Sequence, residues 1–581
     1  MRIGRVRVPS RFLTVLLAVA AAVFAGAAGP VGQETAPADL VLLNGKVVTV
    51  DEALPEAEAL AVRGDKIAAV GTTEEIRKYI GGRTEVIDLQ GRLAVPGLID
   101  SHLHFMSIGQ AKQTLDLTGT RSWDDIVTLV AEAVKTAAPG EWINGRGWHQ
   151  EKWDKVPEPN VNGLPLHDRL SAVSPQNPVF LTHASGHSAI ANAKAMELAG
   201  ITPRTAAPAG GEIVKDAAGN PIGVFIETAQ GLLRRSYAHE VGRRTAEEAE
   251  AAARKTAALA SQECLSKGLT SVHDAGVSFA TIDLYKKLAD EGRLGVRMNA
   301  MLSEGNKALE ARAGEYRLVG YGNRHLTVRS IKRLIDGALG AHGAWLLEPY
   351  SDLPSSAGLN TEPLDALAET ARIAAEKGFQ LCVHAIGDRG NREVLSIYES
   401  AFKARPEKKD LRWRVEHAQH LSADDIPRFG ALGVIASMQG IHCTSDGPWI
   451  FKRLGEARAE EGAYVWRKLM GSGAVISNGT DAPVEDVDPI PSLYASMTRR
   501  MKNGEVFYGG QKMTRLEALR SYTLNGAYAA FEEEIKGSLT PGKLADITVL
   551  DRDIMTVPEE DILKTEVVAT IVGGKILYRK Q

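Results

Sequence analysis

His102 and His104, separated by Leu103, follow the apolar run 93–99 and the dipeptide Asp100-Ser101. Side chains alternate along a β-strand, so both imidazoles leave one face, the geometry in which two near neighbours grip a single metal ion. A lone His-x-His reads equally well as two structural histidines. Its meaning comes from further donors at the ends of later strand-like runs: His384 after Leu381-Cys382-Val383, His417 after 413–416, and Asp481 after 475–480. If these runs are parallel strands of one barrel, four imidazoles and a carboxylate meet at its C-terminal face, where barrel enzymes keep their chemistry. Such donors suit a divalent metal, zinc first, with manganese, iron or nickel as alternatives. A divalent ion there makes hydroxide available at neutral pH and polarises a carbonyl for its attack.

Lys332 and Asp336 stand four residues apart on another strand-like run and are expected to face the same way. A lysine pointing into a barrel requires relief, because an unpaired buried ammonium is costly. A salt bridge to Asp336 is one relief, and reaction with carbon dioxide to a carbamate able to bridge two metal ions is another. The pattern alone does not choose between them. Glu416, adjacent to a donor, is expected to face the helices and to be structural. Trp148 and His149 fit either a pocket wall or simple aromatic packing, and His273 and His420 lie near strand ends without a second feature.

Positioning these donors requires a particular set of elements. Eight strand-like runs, 93–104, 269–275, 296–302, 328–336, 380–385, 412–418, 434–438 and 474–481, alternate with amphipathic stretches such as 246–267 and 364–377. That alternation is the pattern of a parallel sheet closed by crossover helices. The expected fold class is α/β: a (β/α)8 TIM-type barrel over 95–536, with a long insertion after its first strand at about 105–267. The insertion shows no obvious core of its own and reads as a lid or substrate wall over the barrel mouth. Short strands and turns at 39–94 and 537–581 are expected to assemble one composite β-sandwich from both chain ends, with Asn44-Gly45 punctuating a hairpin.

A chain of 581 residues accommodates such a barrel and appendage. Its 44% hydrophobic and 24% charged residues are ordinary globular values, and a net charge of -4 leaves no basic footprint for nucleic acid. A small-molecule substrate is the expected partner, a homo-oligomer is compatible with the sequence, and three scattered cysteines exclude a disulfide framework. At the N-terminus, Arg2, Arg5, Arg7 and Arg11 precede the apolar run 12–28, with Ala25-Gly26-Ala27 as an A-x-A site. This reads as a signal peptide over 1–28, export to the periplasm or beyond, and a spacer at 29–38. An uncleaved membrane anchor is the competing reading, although the run is at the lower limit for spanning a bilayer.

The ordered series of motifs is similar to the metal-dependent amidohydrolase superfamily, specifically its amidohydrolase 3 branch of YtcJ-like and N-substituted-formamide-deformylase-like proteins. Val95-Pro96-Gly97-Leu98-Ile99-Asp100-Ser101-His102-Leu103-His104, Gly186-His187-Ser188 with Asn192, and Ser271-Val272-His273-Asp274 carry the first half of the resemblance. Lys332 with Asp336-Gly337, Val383-His384-Ala385-Ile386-Gly387-Asp388, Glu416-His417, Thr480-Asp481-Ala482-Pro483 and Pro541-Gly542-Lys543-Leu544-Ala545-Asp546 carry the rest. The resemblance implies that His102 and His104 hold the more buried metal and that His384 and His417 hold a second. It implies that carboxylated Lys332 bridges, and that Asp481 contacts metal and moves protons. A mononuclear site with unmodified Lys332 is the alternative. His187 is implied as a substrate contact, with capping beside Ser188 as the bland reading, and Trp148 and Asp336 are further candidates for the pocket. His342 departs from the residue usual in relatives; it is kept as a substrate candidate without a transferred role. The implied activity is hydrolysis of a carbon–nitrogen bond in an amide, formamide or N-acyl substrate by a metal-bound hydroxide. Cyclic amides, carbamates or esters are the alternative substrates, and a catalytically silent secreted binder is the alternative class.

Overall fold

The computed structural model describes residues 36–581 apart from 151–152, 184–187, 209–210, 243–244 and 341. The signal segment, most of the spacer and His187 therefore lie outside the described residues. Eight strands form the central sheet: β1 (Leu98–Leu103), β2 (Leu269–Val277), β3 (Arg297–Leu302), β4 (Leu326–Leu334), β5 (Gln380–Ala385), β6 (Arg414–His417), β7 (Ile435–Met438) and β8 (Ile476–Asn478). Each pairs in parallel with its neighbour from β1 through β8. Beyond the ladder, Asp481 N–H donates to His102 O at 2.7 Å and His104 N–H to Ala482 O at 2.8 Å. These two bonds close the barrel at the end where the donors stand.

All eight expected strand positions are occupied, with one revision at the first. The run 93–104 is two strands, because Leu93–Pro96 pairs antiparallel with Ile547–Leu550 in a different sheet. Gly97 makes the transition; a Cβ there would lie 2.2 Å from Thr270 Oγ1, so only glycine lets the chain pass. The sheet containing Leu93–Pro96 takes strands from both chain ends, in the order Lys575–Arg579, Val567–Val572, Ile547–Leu550, Leu93–Pro96, Lys46–Val48, Glu56–Ala57. It packs against Lys66–Gly71, Ala59–Arg63, Leu40–Leu43 and Glu85–Asp88 through Leu42, Val47, Leu60, Val62, Ile547 and Ile571. Leu40–Leu43 and Lys46–Val48 belong to different sheets, so Asn44-Gly45 joins the two layers instead of closing a hairpin.

The inserted segment has its own core, contrary to expectation. A six-stranded sheet from Leu115–Asp116 to Pro221–Glu227 buries Leu117, Trp123, Ile126, Trp148, Leu181 and Val224 in one cluster. The helix Ala246–Ser266 is not part of it. That helix packs against Phe105–Ala111 so closely that a Cβ on Gly109 would lie 1.9 Å from Thr256 O. Its Ala257, Ala260 and Cys264 join the barrel core. Cys264, Cys382 and Cys443 are buried and unpaired.

Candidate metal centre

His102 and Asp481 are held by adjacent strands through a buried carboxylate. Asp100 Oδ1 accepts from His102 N–H at 3.0 Å, and its Oδ2 accepts from Thr480 Oγ1 at 2.6 Å. Burial pushes the Asp100 carboxyl up to about 7, against these hydrogen bonds. Three residues past β8, Asp481 lies in the left-handed region at φ 60, a conformation that surrounding contacts must enforce. Asp481 Oδ1 lies 3.3 Å from His104 Nε2 and 3.6 Å from His102 Nε2. His104 is 37% exposed at its side chain whereas His102 is 1% exposed, so the group opens on the His104 side.

The other imidazole nitrogen of His102 is also committed. His102 Nδ1 donates to Glu416 Oε2 at 2.5 Å, and Arg414 Nε lies 2.7 Å from Glu416 Oε1. Arg414 further donates to Ser101 O and Ser437 Oγ, and its Nη1 meets His273 Nδ1 at 2.9 Å. Glu416 is thus inside the barrel, where the sequence reading put it outside. Ordinary alternation turns Arg414 and Glu416 inward, and His417 reaches the same pocket because its backbone is left-handed at φ 75. His417 Nδ1 contacts Gln439 Oε1 at 2.7 Å, and its ring lies 4.7 Å from that of His102 and 4.4 Å from that of His384.

These environments fix the charge states. Burial lowers the pKa of His102, of His417 and, to about 3, of His384, so all three are neutral at pH 7, the form that ligates metal. Burial opposes the charge of Glu416, but Arg414 and His102 outweigh it and hold the carboxylate ionised. Burial likewise opposes Asp481, and the His104 hydrogen bond favours its ionised form. Among the described residues, His102 Nε2 and His384 Nε2 are buried without a hydrogen-bond partner. For His102, a carboxylate fixes one nitrogen while the other stands unpaired, which is how a metal-ligating histidine is oriented, and the His102, His104 and Asp481 group fits a divalent ion.

The remaining candidates separate. Lys332 is buried on β4, its side-chain amine makes no hydrogen bond or ion pair among the described residues, and burial lowers its pKa despite the Glu416 and Asp481 charges. Its proposed salt bridge to Asp336 is not formed. Asp336 instead accepts N–H groups of Trp345, Ile386 and Gly387 at 2.9, 3.0 and 2.8 Å, pinning the loops after β4 and β5, and burial pushes it up to about 7. His384 Nε2 lies 3.6 Å from Asp336 Oδ1. Trp148 is a core residue of the inserted unit, fully buried, donating to Leu181 O and packed edge-on to His183. His342 faces Asp352 at 3.0 Å on a loop that Arg453 fastens to the helix Gly440–Leu454, not the donor group.

Three residues that the strand-end pattern left out of the site enter it. Arg414 and Glu416 were legible as two charges at alternate positions of an apolar strand, a costly placement without a purpose. His442 sits in the first turn of the helix Gly440–Leu454, and its ring stacks on that of His417 at 6.2 Å. Gln439, His442 and Asp446 recur at helical spacing, a polar stripe that marks the face turned to β6.

Buried neutral imidazoles and an ionised carboxylate at the C-terminal face of a β/α barrel define the class of metal-dependent barrel hydrolases. The chain belongs to the amidohydrolase family, whose model matches residues 85–578. It is 32% identical over 554 residues to the Protein LONG AFTER FAR-RED 3 of Arabidopsis thaliana, covering 93% of this chain and 92% of the relative. It is 31% identical to the putative amidohydrolase YtcJ of Bacillus subtilis, covering 92% and 99%. The N-substituted formamide deformylase of Arthrobacter pascens is 27% identical, covering 93% and 98%. A crystal structure of an uncharacterized metal-dependent hydrolase from Pyrococcus horikoshii superposes with a TM-score of 0.72 at 28% identity, covering 90% of this chain and 99% of that one.

Proposed function

We propose that this protein is an exported, zinc-dependent amidohydrolase that cleaves a carbon–nitrogen bond in a small amide, formamide or N-acyl substrate. The observation that carries this reading is the His102, His104 and Asp481 group, whose donor atoms all lie within 4.8 Å of one another. A divalent ion bound there supplies a Lewis acid for the carbonyl and lowers the pKa of water to about 7. Asp481, ionised and 10% exposed at its side chain, accepts the proton of the attacking water and returns it to the leaving nitrogen. Glu416 holds the His102 proton on Nδ1 and so keeps its Nε2 lone pair directed at Asp481. The half-open His104 side is the direction of substrate entry. Burial lowers the pKa of Lys332 and so favours the uncharged amine that carbamate formation requires; a carbamate there would offer anionic oxygens to a divalent ion.

The 27% identity to a formamide deformylase supports a carbon–nitrogen bond as the target. The basic residues Arg2 to Arg11 and the apolar run 12–28 support export. A screen of the zinc-loaded enzyme against N-formyl, N-acyl, lactam and lactone compounds tests the reading. Turnover of N-formyl or N-acyl amines is the expected result. Activity confined to esters and lactones would overturn it.

A further inference from the structure

His442 is 8% exposed, and its Nε2 is buried with no hydrogen-bond partner among the described residues. A buried polar nitrogen left unpaired is unfavourable, and a ligand at that atom would remove the penalty. The ring lies nearly parallel to that of His417, at 14°. Because Gln439 occupies His417 Nδ1, the remaining nitrogen of His417 is Nε2. Donor atoms of His417, His442 and Asp481 lie within 4.8 Å of one another, as do those of His102, His104 and Asp481. Asp481 is common to both groups. It has two oxygens, of which Oδ1 faces His102 and His104.

We propose that His442 is a ligand of a second divalent cation, held together with His417 and Asp481, so that the Asp481 carboxylate is shared by two cation positions. The inference rests on the metal-dependent reading above and extends its ligand set to a helix-borne histidine that the strand-end pattern does not contain. Two imidazoles and a carboxylate are a complete protein donor set for a zinc ion that keeps an open position. A carboxylate shared by two ions is compatible with the spacing of about 3.5–4 Å found in two-metal hydrolytic sites.

Zinc stoichiometry after equilibrium dialysis tests this without any substrate. The wild-type chain is expected to retain two zinc ions and His442→Gln one. Equal stoichiometry and affinity in the two proteins would overturn the proposal. A zinc-edge anomalous difference map of wild-type crystals decides the matter independently of how the variant folds. The expected result is a peak about 2.0–2.1 Å from a His442 nitrogen. Zinc bound only away from His442 would overturn this inference alone, whereas a chain that binds no zinc would overturn the function with it.

Discussion

Glu416→Gln is the most informative single substitution, because an amide cannot serve both neighbours of this carboxylate. Glu416 accepts from His102 Nδ1 at 2.5 Å on Oε2 and faces Arg414 Nε at 2.7 Å on Oε1. If the glutamine oxygen faces His102, its NH2 opposes the Arg414 guanidinium, a donor against a donor. If it faces Arg414, the NH2 donates to His102 Nδ1 and forces the ring proton onto Nε2, which then has no lone pair for a metal. Loss of one partner from a buried ion pair costs about 3–5 kcal/mol. The lower end is expected, since Arg414 keeps Ser101 O, Ser437 Oγ and His273. Loss of the histidine's carboxylate partner weakens metal binding about 10- to 100-fold, or roughly 1.4–2.7 kcal/mol. Competition with a chromophoric chelator reads the second quantity, and the urea midpoint of the metal-free protein reads the first. Adding Arg414→Met should restore stability but not affinity. A Glu416→Gln protein whose zinc affinity stays within twofold of wild type would refute the reasoning.

Three further outcomes follow from the same geometry. Asp481→Asn should lower kcat by about 10²- to 10⁴-fold while the circular dichroism melting curve stays close to that of wild type, and near-normal turnover would remove its proton-transfer role. Gly479→Ala would place a Cβ 2.6 Å from His102 N and 2.7 Å from Asp100 Oδ1, so the β1–β8 seam must shift; a loss of about 1–3 kcal/mol and weakened zinc binding are expected, and unchanged affinity would contradict the seam's role. His420 is buried with both ring nitrogens unpartnered, and burial lowers it to about 3, whereas the unfolded chain protonates it near 6.5. Between these values only the unfolded state binds the proton, so the stability of wild type relative to His420→Leu should fall as pH drops below 6.5, by about 1.4 kcal/mol per pH unit. Urea midpoints at pH 7 and pH 5 measure this difference, and a constant gap would refute it.

The barrel was legible because buried parallel strands are short apolar runs bounded by turns, and all eight retain that signature. What failed were readings that assumed uniform alternation. Leu93–Pro96 and β1 look like one strand, and the sheet change at Gly97 depends on a close contact with Thr270 that no local pattern announces. Glu416 was placed outward because His417 was assumed to follow the strand's alternation, and a left-handed residue at the strand end breaks it. His102, His104 and Asp481 come together because the donors terminate adjacent strands. His442 escaped because it stands on a helix, four residues past the strand end, with no neighbouring histidine to draw notice. Trp148 and His342 could be placed only by knowing their partners, Leu181 and Asp352, which are distant or irregular in sequence.

The metal content of the purified protein bears most directly on the proposed chemistry. Elemental analysis after exhaustive dialysis should find at least one equivalent of zinc or another divalent ion per chain in the wild type. The paired substitution His102→Ala with His104→Ala should lose that ion and hydrolytic turnover together. A wild-type chain that is metal-free, folded and hydrolytically active would contradict the metal centre at His102, His104 and Asp481.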